Sequence, residues 1–168
     1  MSNESMNKTF SIKSVTWQTK QRELIMLRTV VFMEEQNVSP EDEWDNKDET
    51  ATHFLVTSAE GLAIGCARLL VESHNNGDEN SLAPQQNQTL FHIGRVAVLK
   101  SHRQQGIGKQ LLQTIINGCL QSLPSSNIYL YAQTARIKFY QQLGFMIQGD
   151  VFMDAGIPHI EMWYKPKK

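Results

Sequence analysis

The sequence predicts a single α/β (α+β) domain over residues 1–168, on three observations. The chain carries 40% apolar and 20% charged residues over its 168 positions, enough to bury a core. Strand-like runs alternate with amphipathic helical runs along its length. In "IGRVAVLKSHRQQGIGKQLLQTIINGCL", residues 93–120, a β-branched run breaks into a basic, glycine-punctuated loop and then a helix.

Taken in order, "FSIKSVT" alternates as a strand, and "QRELIMLRTVVF" sets Leu24, Leu27, Val31 and Phe32 on one helical face. "MEEQNVSPEDEWDNKDET" is polar and acidic and contains Pro40, which predicts a long irregular connection with room for a short helix. "HFLVTSAEGLAIGCARLLV" reads as two strands turning at Glu60-Gly61, and the Asn/Gln-rich "ESHNNGDENSLAPQQNQ" as a mobile excursion without chemistry. "TLFHIGRVAVL" is a strand. The helix beginning near Gly106 to Gly108 carries Ile107, Leu111, Leu112, Ile115, Cys119 and Leu120 on one stripe. "NIYLYAQ" is a strand, "TARIKFYQQLG" a short helix ending at Gly144, and "FMIQGDVFM" and "PHIEMWYK" two closing strands.

Sixteen basic against seventeen acidic residues leave a formal charge of −1, so no global attraction to nucleic acid or anionic membrane is expected and any anion site is local. The two cysteines, Cys66 and Cys119, sit in apolar segments without ligand spacing, which predicts reduced thiols and no metal. "MSNESMNKTF" lacks the basic and apolar regions of a leader, and no run of about 18 apolar residues occurs, so a cytoplasmic location is expected.

The loop at 100–109 has the chemistry of an anion site. A helix start exposes unpaired N–H groups and the positive end of its dipole. Gly106 and Gly108 open the backbone to close approach, and Lys100, Arg103 and Lys109 add charge. A nucleotide P-loop is excluded by Arg103, where its first glycine belongs, and by Gln110 after Lys109; a dinucleotide fingerprint is excluded by Leu111 at its third glycine.

What remains is "RQQGIG", which resembles the acyl-CoA loop of the GNAT superfamily of N-acetyltransferases. "FYQQLGF" resembles that superfamily's late helix. Together with "VFMEEQNVSPEDEWD", "THFLV" and "FMDAGIPHIEM", these motifs resemble the ElaA/YjcF-like branch from about Arg28 to Met162. The resemblance implies a mixed, mostly antiparallel sheet flanked by helices, whose strands "RVAVL" and "IYLYAQ" run parallel and splay apart. It implies acetyl-CoA as acyl donor, with the pyrophosphate on Arg103, Gln104, Gln105, Gly106, Ile107, Gly108 and Lys109. The pantetheine would lie on the main chain of Val96, Ala97 and Val98, with Gln133, Phe139 and Tyr140 also at the cofactor. The side chains of Val96 and Val98 are expected to be core.

Acyl transfer to an amine needs a neutral amine, a donor to the oxyanion and a proton for the leaving thiolate. Tyr140 stands where the superfamily's acid tyrosine commonly stands, and the Val98 N–H is the expected oxyanion donor. His74 lies in the excursion and His102 in the loop, leaving His53, His92 and His159; His159 and the acidic Glu35 are the candidates for base. Arg68 and Arg95 either hold an acceptor carboxylate or phosphate or form ion pairs on the sheet surface. The acidic run from Glu41 to Glu49 either attracts a cationic amine or is a solvated loop. A small primary amine is the expected acceptor, and a homodimer is compatible with the chain. The alternative is a catalytically weak CoA-binding regulatory or interaction module.

Overall fold

The computed structural model describes residues 10–76, 86–124 and 127–165. Seven strands form one sheet in the order β1-β2-β3-β4-β5-β7-β6. Their ranges are β1 (Phe10–Val15), β2 (Thr52–Ser58), β3 (Ala63–Asn76), β4 (Gln86–Val98), β5 (Asn127–Gln133), β6 (Phe145–Asp154) and β7 (Ile157–Tyr164). Every neighbouring pair is antiparallel except β4 and β5, which run parallel. This is the expected mixed sheet.

Two helical layers cover it. On one face α3 (Ile107–Ser122) and α4 (Ile137–Gln142) pack over Phe54, Leu69, Phe91, Ile93, Leu130 and Met162. The predicted stripe of α3 is buried there from Ile107 to Cys119, with Leu120 half-buried at its end. On the other face α1 (Trp17–Arg28) buries Leu24 and Leu27 against Leu55, Cys66 and Ala97. The sequence pattern ran this helix as one piece to Phe32; instead the chain widens into a π-helical turn, Thr29–Glu34, which still buries Val31. The expected short helix in the acidic connection is α2 (Pro40–Glu43), where Ser39 caps the Asp42 N–H at 3.2 Å and Pro40 sits in the first turn. Gly61, at φ +86°, makes the β2–β3 turn.

The Asn/Gln-rich excursion is corrected. Strands β3 and β4 stay in register from Glu72↔Leu90 to Asn76↔Gln86, so its two ends, 72–76 and 86–88, are paired strand; residues 77–85, and the amino-terminal nine read for a leader, lie outside the described residues. The ladder continues because its hydrogen bonds are backbone bonds, and a register already set by the core outweighs the low strand propensity of Asn. Cys66 and Cys119 are free and buried. Among the described residues no helix is long and apolar enough to cross a membrane.

Candidate active site

β4 and β5 pair only from Leu90↔Asn127 to Ile93↔Leu130, although β4 runs on to Val98 and β5 to Gln133. The strands part at a bulge. Cys66 faces Ala97 and Arg68 faces Gly94, so Arg95 and Val96 together stand opposite Ala67, with Arg95 at φ +52°. An extra residue bends a strand and shifts its side-chain alternation by one. Phe91 and Ile93 before the bulge, and Val96 and Val98 after it, therefore all pack toward the α3–α4 layer, the last two as partly buried core. Leu99 N–H donates to Ile64 O across the β3–β4 ladder at 2.9 Å, so the N–H and C=O of Val98 point to the opposite edge, into the split.

The split opens into a cleft of about 560 Å³. At one end lies the glycine loop. Gln104 (φ +64°) and Gly106 (φ +77°) are both left-handed, and α3 begins at Ile107. Among the described residues, the N–H groups of Gln104 to Lys109 have no backbone acceptor; the first bond of the helix is Gln110 N–H to Gly106 O. Six amides in succession at a helix start are a fit receptacle for a pyrophosphate. A Cβ on Gly106 would meet nothing within 4 Å, so glycine is needed there for its backbone angle, whereas a Cβ on Gly108 would sit 3.4 Å from the Phe139 ring.

The loop's cations divide. Arg103 turns inward: Nε donates to Val98 O at 2.9 Å and Nη2 pairs with Glu35 at 2.7 Å. It fastens the loop to the end of β4 and to the segment after α1. Arg103 and Lys109 both line the cleft, joined by Arg136, which sequence reasoning missed although it lies three residues after the strand "NIYLYAQ". Gln105 does not line the cleft; its side chain donates to Ser101 O at 3.4 Å. Glu35 does not line it either, its carboxylate being held by Arg103.

Tyr140, on α4, lies in the cleft half-buried, its ring against Phe139 (5.1 Å) and Phe145 (6.0 Å). Burial pushes its phenol up to about 12, only partly opposed by Arg136, so the proton stays on at neutral pH. His159, on β7, also lines the cleft. Its Nδ1 lies 2.7 Å from Ile157 O. A carbonyl only accepts, so Nδ1 carries the proton and Nε2 of the neutral ring keeps its lone pair. Gln133, at the end of β5, donates to Gln36 at 2.7 Å, tying the segment after α1 to the far wall of the split. His53 is buried behind α1, its Nε2 2.9 Å from Asp48 O, and takes no part in the cleft.

Arg68 and Arg95 line the cleft, but their charge is used within the protein. Arg68 grips Asp45 with two bonds of 2.7 and 2.6 Å and reaches Asp48 at 3.0 Å. Arg95 donates to Glu43 O at 2.9 Å and approaches the Glu43 carboxylate at 3.1 Å. The acidic run therefore divides: Glu41, Asp42 and Glu49 are exposed, whereas Glu43 and Asp48 are buried and Asp45 half-buried beneath these arginines. The third arginine, Arg28, is 1% exposed, joined to Glu43 and Asp48 and lying 4.7 Å from the Trp44 ring. This network fixes the 40–48 segment against the bulge that parts the strands.

The parted strands, the row of loop amides and Tyr140 line one cleft, the layout that the GNAT resemblance implies. The family model for the GNAT acetyltransferase domain matches residues 29–166, and the chain belongs to that family of acyl-CoA N-acyltransferases, in its ElaA/YjcF-like branch. Escherichia coli ElaA is 33% identical over 141 residues, 83% of each chain. The crystal structure of ElaA superposes with a TM-score of 0.73 at 28% identity, over 93% of this chain and 99% of that one. The Bacillus subtilis uncharacterized N-acetyltransferase YjcF is 29% identical over 142 residues, 84% of this chain and 89% of its own. An Arabidopsis thaliana NAA60 structure in complex with acetyl-CoA, 14% identical, shares the fold at a TM-score of 0.69 over 93% and 98% of the two chains.

Proposed function

We propose that the chain moves an acetyl group from acetyl-CoA directly to a primary amine of a small molecule. The observation that carries this reading is the parted β4–β5 pair, with a row of unpaired loop amides at one end and the protonated Tyr140 in the gap. Bound acetyl-CoA would supply the acyl group activated as a thioester; the acetyl-CoA held by NAA60 on the same fold supports this choice. The amides of Gln104 to Lys109, with Lys109 and Arg136, would hold the pyrophosphate. The Val98 N–H, directed into the split, would donate to the carbonyl oxygen as charge develops on it. As the C–N bond forms and the C–S bond breaks, Tyr140 gives its proton to sulfur and His159 Nε2 takes the proton released by the amine. Arg103 and Glu35 act as positioning residues for the loop. The cytoplasmic location expected from the sequence is part of this proposal.

The test is thiol release from acetyl-CoA across a panel of primary amines, paired with calorimetric CoA binding. Gly108→Val crowds the Phe139 ring, 3.4 Å from the new Cβ at the start of the helix, without asking for a left-handed backbone, as Gly106→Val would. CoA affinity is expected to fall about 10- to 100-fold, the worth of one or two charge-assisted hydrogen bonds. Undiminished affinity in folded Gly108→Val, or no thiol release with any amine, removes the reading.

His159→Ala is expected to slow transfer by about 10²-fold while CoA affinity holds. The acid limb of the kcat/KM profile should change with it, because a base works only when deprotonated. A profile of the same shape and height in the variant assigns the proton to water instead.

A further inference from the structure

The glycine loop and Tyr140 belong to the sheet face packed on α3 and α4, so an acceptor reaches the split from the opposite face. There α1 lies over β2 to β4 and does not extend across β5, β7 and β6. Alternate residues of four strands build a continuous row of rings on the uncovered part. From the cleft outward, His159 stacks with Phe152 (6.0 Å), Phe152 meets Tyr131 edge-on (5.2 Å), and Tyr131 meets His92 edge-on (5.0 Å). His92 stacks on Tyr129 (4.4 Å), and Tyr129 on Trp163 (5.1 Å). Tyr131 is 42% exposed and Phe152 37%. An exposed sheet face has no need of packed rings, and exposed aromatic surface continuous with a cleft marks a binding surface.

The row is edged by carboxylates. Glu72 accepts from Tyr129 Oη at 2.6 Å, Glu161 accepts from the Trp163 indole N–H, and Asp154 lines the cleft. Arg68, a buried cation lining the cleft, is held by Asp45 and Asp48, and Lys47 is exposed. Three carboxylates about an aromatic floor favour a cation that also has a ring to stack.

Building on the acyl-transfer reading, we propose that this row is the acceptor floor and that the acceptor is an arylalkylamine, a planar ring joined by a short chain to a primary ammonium group. The ring lies on Tyr131 and Phe152, the carboxylates draw in the ammonium group, and the chain carries the nitrogen past His159 to the split.

The probe is 2-phenylethylamine, compared with n-hexylamine and spermidine, by calorimetry on the CoA-saturated protein and by thiol release. Phenylethylamine is expected to bind, and to show kcat/KM at least about tenfold above hexylamine. Phe152→Leu keeps an exposed apolar side chain and removes the ring; it should raise the KM for phenylethylamine about 3- to 10-fold with kcat held, and Phe152→Tyr should restore it. Equal handling of phenylethylamine and hexylamine, a preference for spermidine, or indifference to Phe152→Leu overturns the assignment while leaving acyl transfer intact. Ring-dependent binding without thiol release leaves the floor in place and overturns the transfer reading instead.

Discussion

Arg28→Ala is expected to cost about 3–5 kcal/mol of stability, the usual consequence of deleting one partner of a buried ion pair. For a chain of this size that is a fall in Tm of about 6–20 °C. The loss is large because Arg28 serves two buried carboxylates at once, donating to Asp48 at 2.6 Å and to the side chain and backbone carbonyl of Glu43. Without it Arg68 and Arg95 must satisfy both. Burial alone would raise the Asp48 carboxyl, but the hydrogen bond and charge of Arg28, with Arg68, outweigh it and hold the group below its ordinary value. Glu43 is raised, because burial outweighs the charges of Arg28 and Arg95. The signs therefore differ. Asp48 adds stability above its unfolded pKa of about 3.9, lost as pH falls toward the depressed folded value. Glu43 subtracts stability as pH rises above about 4.3. Removing Arg28 raises both carboxyls, so the gap in Tm between variant and parent should narrow as pH is lowered from about 7.5 to 5. CoA affinity should fall with stability, since Glu43 also holds Arg95 at the bulge. A variant melting within about 2 °C of the parent at pH 7.5 would mean that the network contributes little.

That network shows where the sequence was readable and where it was not. The apolar period of α1 runs 24, 27, 28, 31, and Arg28 occupies a slot of the buried stripe; a charged residue in that slot signals a buried partner, and the acidic run after Pro40 supplies it. Each half was visible alone, but their pairing depends on how the 40–48 segment folds back, which no local pattern encodes. The glycine loop was legible because strand, glycine pair and amphipathic helix carry their own periodicities. The bulge was not: Arg95 takes a left-handed angle without being Gly or Asn, held by its contacts with Glu43 and Asp45, which outweigh local preference. The same reasoning accounts for Glu35, which reads as a free carboxylate near a helix end and is instead the partner of Arg103. The aromatic row was split among four strands and became a feature only once the sheet order brought His92, Tyr131 and Phe152 together.

Tyr140→Phe is expected to slow the acyl-transfer step by about 10²- to 10⁴-fold, the worth of a positioned general acid. Phenylalanine keeps the ring against Phe139 and Phe145, so packing and CoA affinity should hold, the latter within about twofold. With its phenol pushed up to about 12, Tyr140 is fully protonated across any ordinary assay range. The acid is always loaded, and any alkaline fall in kcat/KM below about pH 10 belongs to another group. The same burial makes the phenol a weaker acid than it is in water, so proton donation depends on charge already building on sulfur as the C–S bond breaks; an early proton transfer would be uphill. Steady-state turnover can hide the effect behind product release, so the measurement is a single turnover of pre-bound acetyl-CoA with an accepted amine. A parental single-turnover rate in Tyr140→Phe would reduce Tyr140 to a packing residue and leave water as the source of the proton.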